Sequence, residues 1–350
     1  MQRQLKKEVK IGNIKIGGTN PIAVQTMLNV PVKDIAGNVA QAERVAKAGC
    51  QIVRVTVPTP ADAAVVAAIK EKVDIPVVAD IHFDYRAALA ALDAGADKIR
   101  INPGNIGDDD RVKAVADACN ARNVPIRIGV NAGSLPRDLV ESQGVTPESM
   151  VEAALRHVRI LEECGFYDIA LSLKASDVRT NVLAYRRMAE ICDYPLHLGV
   201  TEAGRRGMGN VKSDIGIGSL LLDGIGDTIR VSLTGSPIPE AKAGLDILRA
   251  IGLRGGVQFV SCPTCGRTRV DVPQIARAVE KAFCDCQKDV TIAVMGCVVN
   301  GPGEARGADI ALCGGDNCGA LYVRGEFVRK LTGDIAQEFI RAAGEIIDEL

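Results

Sequence analysis

The sequence predicts a (β/α)8 barrel followed by a smaller α/β domain that carries a metal site. Three observations point there. Short β-branched runs alternate with alanine-rich helical stretches eight times, and about 250 residues is the size such a barrel needs. Several of those runs carry a cation inside otherwise apolar sequence. Finally, four of the 11 cysteines are scattered through the first part of the chain, and the other seven crowd into its last quarter.

The elements read as follows. The opening MQRQLKKEVKIG is basic but has no apolar core, so no secretion signal is expected. Residues 9–16 read as a hairpin turning at Gly12-Asn13, placed to close the barrel floor. Strands are expected at 22–27, 52–57, 76–80, 98–102, 126–131, 169–174, 196–201 and 228–233. Helices between them include 38–48, 60–72, 111–122, 148–163, 177–191 and 239–250, whose apolar residues recur at spacings of three and four. A doubly wound open sheet would want a dinucleotide fingerprint after its first strand. None is there, and the nearest glycine pair, Gly216 and Gly218, is followed by Leu221 where the third glycine belongs. The Gly-rich stretch 252–256 sets the boundary, giving a barrel of 1–253 and a second domain of 254–350.

The cations are Arg54, Arg100, Arg127 and Arg230 within strands, and Lys174 closing another. A parallel strand buried on both faces is ordinarily a continuous apolar run, and a buried guanidinium is costly unless paired. A structural salt-bridge layer with Asp80 and Glu202 would pair only some of them. All five read as lying in the C-terminal halves of their strands, where barrel active sites form. A phosphate or diphosphate would balance the excess, through bidentate arginine contacts.

In the last quarter, Cys262-Pro263-Thr264-Cys265 puts two thiolates on one tight loop, the usual opening of a zinc or iron–sulfur site. Cys297 follows an apolar strand and enters a Gly/Pro loop that ends at Glu304. A zinc ribbon would use Cys262, Cys265, Cys313 and Cys318 instead, and Cys284 with Cys286 forms a further pair. Without an export signal, the cysteines read as thiols or metal ligands rather than disulfides.

Composition removes other classes. A net charge of −1 gives no bulk attraction for nucleic acid or anionic membrane. Tryptophan is absent and aromatics are 3%, which disfavours base-stacking readers. No apolar run reaches the length of a membrane span. The protein is expected to be cytoplasmic.

SCPTCGRT followed by GCVVNGPGEA, together with VNAGSL, LKASDV, GVTEAG, INPGN and GIGSLLLDGIGDTIRVSLT, closely resembles the bacterial two-domain form of the 4-hydroxy-3-methylbut-2-en-1-yl diphosphate synthase family. The resemblance spans nearly the whole chain. It implies a TIM barrel followed by a small α/β domain binding a [4Fe-4S] cluster through Cys262, Cys265, Cys297 and Glu304. It implies diphosphate binding by Arg54, Arg100, Arg127, Lys174 and Arg230, the set that the strands had singled out. Asn131, Thr201, Glu202 and Ser232 match substrate-contacting positions, and Cys284, Cys286, Cys313 and Cys318 lie outside the matching motifs.

The reaction so implied is two-electron reduction of 2-C-methyl-D-erythritol 2,4-cyclodiphosphate in the non-mevalonate isoprenoid pathway. Flavodoxin or ferredoxin supplies the electrons. Glu202 is the expected proton donor, and Glu304, the replaceable cluster ligand, is a second. A homodimer is also expected. The last barrel helix ends at the floor, and a linker of about five residues spans at most roughly 17 Å. The barrel height, as a helix of about 12 residues, is already about 18 Å. Each cluster domain would therefore cover the partner's barrel, as the family is built. Two rivals follow from the residues alone. One is a zinc-ribbon binding protein; the other is a different phosphate-handling barrel, such as a pterin-type synthase, with a structural metal domain.

Overall fold

Alternating strands and helices build the first unit of the computed structural model, which describes residues 3–350. The chain divides into two units, the first ending at Ile251 and the second running Gly252–Leu350. The boundary falls two residues before the one expected within the Gly-rich stretch.

The first unit opens with β1 (Val9–Ile11) and β2 (Ile14–Ile16), an antiparallel hairpin whose Gly12 takes φ +55. Then come β3 (Ala23–Met27), α1 (Ile35–Lys47), β4 (Ile52–Thr56), α2 (Ala64–Lys70), β5 (Val77–Asp80) and α3 (Tyr85–Asp93). They are followed by β6 (Lys98–Ile101), α4 (Pro103–Ile106), α5 (Asp109–Arg122), β7 (Ile126–Asn131), α6 (Arg137–Gln143) and α7 (Pro147–Glu163). The unit closes with β8 (Ile169–Lys174), α8 (Val178–Ile191), β9 (His197–Leu198), α9 (Met208–Leu222), β10 (Thr228–Ile229) and α10 (Ile238–Ala250).

Asp34, Asp84, Asp108 and Asp177 begin their helices by accepting a backbone N–H from the first turn. Such a cap contributes about 1 kcal/mol each. The eight strands pair in parallel in the order β8-β7-β6-β5-β4-β3-β10-β9. A bridge between Leu171 and Leu196 closes β8 onto β9. The hairpin does seal the floor, since Val9, Ile11 and Ile16 pack with Ala23, Ile52, Val78 and Ala170. The floor beneath the strands is therefore apolar.

Two strands are shorter than the sequence suggests. β9 and β10 have two residues each, against expectations of 196–201 and 228–233. At this side the barrel closes partly through side chains. The Tyr185 hydroxyl, fully buried, accepts from the Leu173 amide at 3.1 Å and donates to the His197 carbonyl at 2.6 Å. It thus stands in for a ladder rung between β8 and β9. Tyr185→Phe orphans both backbone groups, which costs about 2 kcal/mol. For a barrel of this size the barrel melting transition should fall by about 4–8 °C in calorimetry. An unchanged transition would show that the seam does not depend on this hydroxyl.

The second unit holds β11 (Val257–Ser261), α11 (Val272–Phe283), β12 (Val290–Met295), α12 (Gly301–Glu304), β13 (Ile310–Gly315), β14 (Cys318–Val323), β15 (Glu326–Leu331) and α13 (Ile335–Glu349). β11, β12 and β13 are parallel; β13, β14 and β15 are antiparallel. Strand alternation splits its core. Ile292, Val294 and Leu312 pack with Phe339 of α13 and Val279 of α11, whereas Ala293, Met295 and Cys313 pack with Ala305 and Ala308. Among the described residues no helix is long and apolar enough to cross a membrane.

Candidate functional site

Two constellations carry chemistry, one in each unit. In the barrel, register places Asp80 opposite Arg100 and Arg100 opposite Arg127. Asp80 receives Arg100 at 3.2 Å and Arg54 at 3.5 Å. Burial pushes its carboxyl up, but the two guanidinium groups prevail and hold its pKa at about 2. Arg230 pairs with Glu240 at 3.3 Å, and Glu240 also accepts from Thr26 Oγ1 and the Leu233 amide. Arg54 and Arg230 both approach the Met27 sulfur.

Arg54, Arg100 and Arg230 are therefore compensated by acids. Arg127, Lys174 and Lys98 are not: each is buried, and among the described residues none makes an ion pair with a carboxylate. Burial, and then neighbouring cations, push the pKa of Lys98 and Lys174 well below the ordinary lysine value. A barrel interior in this state is prepared for an anion. Two glycines make room for it. A Cβ on Gly129 would stand 2.4 Å from Arg100 Nε, and one on Gly199 would stand 2.7 Å from Lys174 Nζ.

Three readings of the sequence change here. Arg127 is the second residue of β7, not in its C-terminal half. Barrel strands are staggered by shear, so position along a strand does not fix height, and Arg127 lies beside Arg100 all the same. Glu202 is not a salt-bridge partner of the cations. It is exposed, in the turn after β9, with φ +52, and the second acid of the layer is Glu240 from the first turn of α10. Lys98 and Glu240 were missed. Lys98 opens the run KIRI and resembled a solvated strand end; Glu240 resembled an ordinary acidic first turn. Asn131 ends β7, and Thr201 and Ser232 follow β9 and β10; all three are half-buried.

In the second unit, β11 and β12 are adjacent and parallel, so their C-terminal ends lie together. That topology joins the Cys262–Cys265 loop to Cys297, far apart in sequence. Cys262, Cys265, Cys297 and Glu304 line one cavity of about 170 Å³. The Gly296 amide donates to Cys262 Sγ at 3.1 Å. Arg267, through its amide and then its side chain, holds the Cys265 thiol below its ordinary pKa. The amides of Asn300 and Val299 do the same for Cys297. A lowered pKa favours the thiolate, the form of cysteine that ligates metals.

Among the described residues, no three His, Cys, Asp or Glu side chains converge tightly enough for a single metal ion. Around one cavity the chain instead gathers three sulfur donors and one carboxylate, Cys262, Cys265, Cys297 and Glu304. Among the described residues the zinc-ribbon set does not converge as a single-metal site. Cys313 is buried behind the loop, where a Cβ on Gly301 would come 3.1 Å from its sulfur, and burial pushes its thiol up to about 12. Cys318 lies against Gly315 at the β13–β14 turn. Cys284 caps the C-terminus of α11, and Cys286 follows it.

An eight-stranded barrel with interior cations that lack acid partners, and a second unit with a three-thiol, one-carboxylate cavity, define a two-unit barrel class. The family follows from comparison. A model described as the GcpE TIM-barrel domain matches residues 6–245, and one described as the GcpE protein C-terminal domain matches residues 258–345. This chain belongs to the GcpE family. Curated relatives named 4-hydroxy-3-methylbut-2-en-1-yl diphosphate synthase (flavodoxin) include one from Caldanaerobacter subterraneus subsp. tengcongensis, 50% identical over 350 residues and 99% of each chain. Another, from Geobacter sulfurreducens, is 50% identical over 346 residues and 98% of each chain. Among solved structures, a dihydropteroate synthase from Stenotrophomonas maltophilia aligns with a TM-score of 0.52 at 14% identity, over 70% of this chain and 97% of its own. An N-acetylneuraminic acid synthetase from Leptospira borgpetersenii serovar Hardjo-bovis aligns at 0.51 and 12%, over 72% and 92%. At such identities these two speak for the barrel fold alone.

Proposed function

We propose that this chain reduces 2-C-methyl-D-erythritol 2,4-cyclodiphosphate to 4-hydroxy-3-methylbut-2-enyl diphosphate, with electrons from flavodoxin or ferredoxin. The near-full-length identity to relatives named for that synthase activity carries the reading. The two sites support its chemistry.

The charge balance is informative. Two electrons enter, one proton joins the departing hydroxide as water, and the ring-opened diphosphate gains one negative charge. A cation layer with more positive than negative groups stabilises that gain in a low-dielectric interior. Arg127 and Lys174, free of acids, are assigned to the diphosphate, with Arg54, Arg100 and Arg230 at its flanks. Asn131, Thr201 and Ser232 orient the carbon chain by hydrogen bonds. Glu202, exposed and held at φ +52, is the assigned proton donor, in line with the clustering of strained backbone at functional positions.

Cys262, Cys265, Cys297 and Glu304 would hold a [4Fe-4S] cluster, which supplies single electrons and a Lewis-acidic iron when bound. The donor set fits that group: three thiols and one carboxylate, two of the thiols favoured as thiolates by amides. The 11 free cysteines suit a reducing cytoplasm. A homodimer, each cluster domain serving the partner's barrel, remains our proposal. The linker of about five residues reaches at most roughly 17 Å, while α10, with 13 residues, returns the chain to the floor.

Metal and sulfide content of anaerobically purified protein tests the reading. Close to four irons and four sulfides per chain, with broad absorption near 400 nm, is the expected order. Glu304→Ala should keep a thiolate-held cluster of altered spectrum. One zinc and no sulfide would overturn the reductase and leave only an anion-binding barrel.

A further inference from the structure

Among the described residues, the hydrogen-bond partner of Lys174 is His197, with Nζ 3.2 Å from Nε2. The charged neighbours of this lysine are otherwise Arg127 of β7, Arg230 after β10, Arg54 of β4 and Arg100 of β6. The nearby acids Asp80 and Glu240 are occupied by arginines. His197 is 1% exposed and faces Arg127, Lys98 and Arg54 as well as Lys174. Burial and then those cations lower its pKa well below 6.5, so its ring is neutral.

A neutral imidazole carries one N–H and one acceptor nitrogen. The Nδ1 lies 2.8 Å from Thr228 Oγ1. An ammonium can only donate, so a charged Lys174 requires Nε2 to accept. The proton then sits on Nδ1 and is donated to Thr228. The backbone of His197 is fixed too, since its carbonyl receives the Tyr185 hydroxyl. With Lys174 charged, Thr228, His197 and Lys174 form a chain with one proton arrangement that ends at the ammonium.

We propose that His197 is a positioning residue that accepts a hydrogen bond from Lys174 and holds it, charged and aimed, as a ligand for the substrate diphosphate. This rests on Lys174 being such a ligand. Lys174 is surrounded by arginines that favour its neutral form, so an acceptor on the ammonium matters more here than at a surface. Removing the acceptor lowers the lysine's pKa further, and the anion-binding form is lost at lower pH.

Calorimetric binding of inorganic pyrophosphate to the holoenzyme, from neutral to alkaline pH, tests this. His197→Leu should weaken binding roughly tenfold, the loss expected for one hydrogen bond to a charged group. Its alkaline fall-off in affinity should move to lower pH. His197→Gln, whose amide oxygen can reach the same position, should recover most of both. Wild-type affinity and an unmoved pH profile in His197→Leu would overturn the proposal, as would a Gln variant no better than Leu. If His197→Leu does not fold, Thr228→Val frees the tautomer and should shift affinity and profile in the same direction; no shift overturns the proposal equally. Lys174→Met is the separating control. Unchanged pyrophosphate binding there would instead sink the assignment of Lys174 as a ligand.

Discussion

Cys297→Ser is expected to lose its iron and, with it, more than about a hundredfold of the reductive activity. Losing even an outer-shell partner of a metal typically costs 10–100-fold, and a direct ligand costs at least as much. The ligand role proposed for Cys297 is one that serine cannot copy. Its sulfur is held below ordinary thiol pKa by the amides of Asn300 and Val299, in a loop entered directly from β12. A serine hydroxyl stays protonated at neutral pH and binds iron weakly. Iron and sulfide analysis beside wild type, with reductant-driven turnover, gives the answer. Full iron content in the variant would remove Cys297 from the ligand set. Full activity would favour the rival barrel, in which the second domain is merely structural. Cys313→Ser offers the contrast: its thiol is buried behind Gly301 and outside the cavity, so iron content should be retained.

Arg127→Met should lower kcat/KM by about 10²–10³, the cost of deleting one member of a buried charge pair, here arginine with substrate phosphate. It should do so without loss of fold stability. Arg127 is 1% exposed, with Nε and Nη1 unsatisfied among protein groups and no acid partner. Replacing an uncompensated buried ion with an apolar side chain of similar length is neutral or stabilising. Arg100→Met should behave differently. It strips Asp80 of one of two guanidinium partners, and a carboxyl held at about 2 by those partners then becomes a burden on the fold. A thermal melt beside the kinetics separates the two. If Arg127→Met melts lower than Arg100→Met, or retains full kcat/KM, the division into substrate cations and structural cations is wrong.

How far the sequence disclosed this can be followed residue by residue. β7 and β8 appear with the expected bounds, 126–131 and 169–174, because both are long apolar runs between clear breaks. β9 and β10 are overestimated. Their later residues keep a strand-like pattern, but a Cβ at Gly199 would meet the Arg230 carbonyl and Lys174 Nζ at 2.7 Å, a close approach that the apolar pattern does not reveal. α9 was not anticipated. Its glycines lower helix propensity, and tertiary packing overrides that. The ligand loops were readable because CxxC and the Gly/Pro loop are local signals. What joins them is the adjacency of two parallel strands, which no local pattern encodes. Glu240 was hidden for the same reason: its donor Thr26 lies on β3 and its partner Arg230 just after β10, the first and last barrel strands, which meet only in the fold.

The Tyr185 clamp has a consequence for how this enzyme can change. The residue that receives the hydroxyl, His197, is also the hydrogen-bond partner of Lys174. With the proposed role of Lys174, barrel closure and ligand grip pass through a single amino acid, one through its backbone and the other through its ring. Sequence drift on β9 cannot retune one without disturbing the other. A lineage or an engineer seeking a different substrate has more freedom on β4, around Thr56, where the strand is held by a continuous ladder to β5 and a side chain can be exchanged without opening the cylinder.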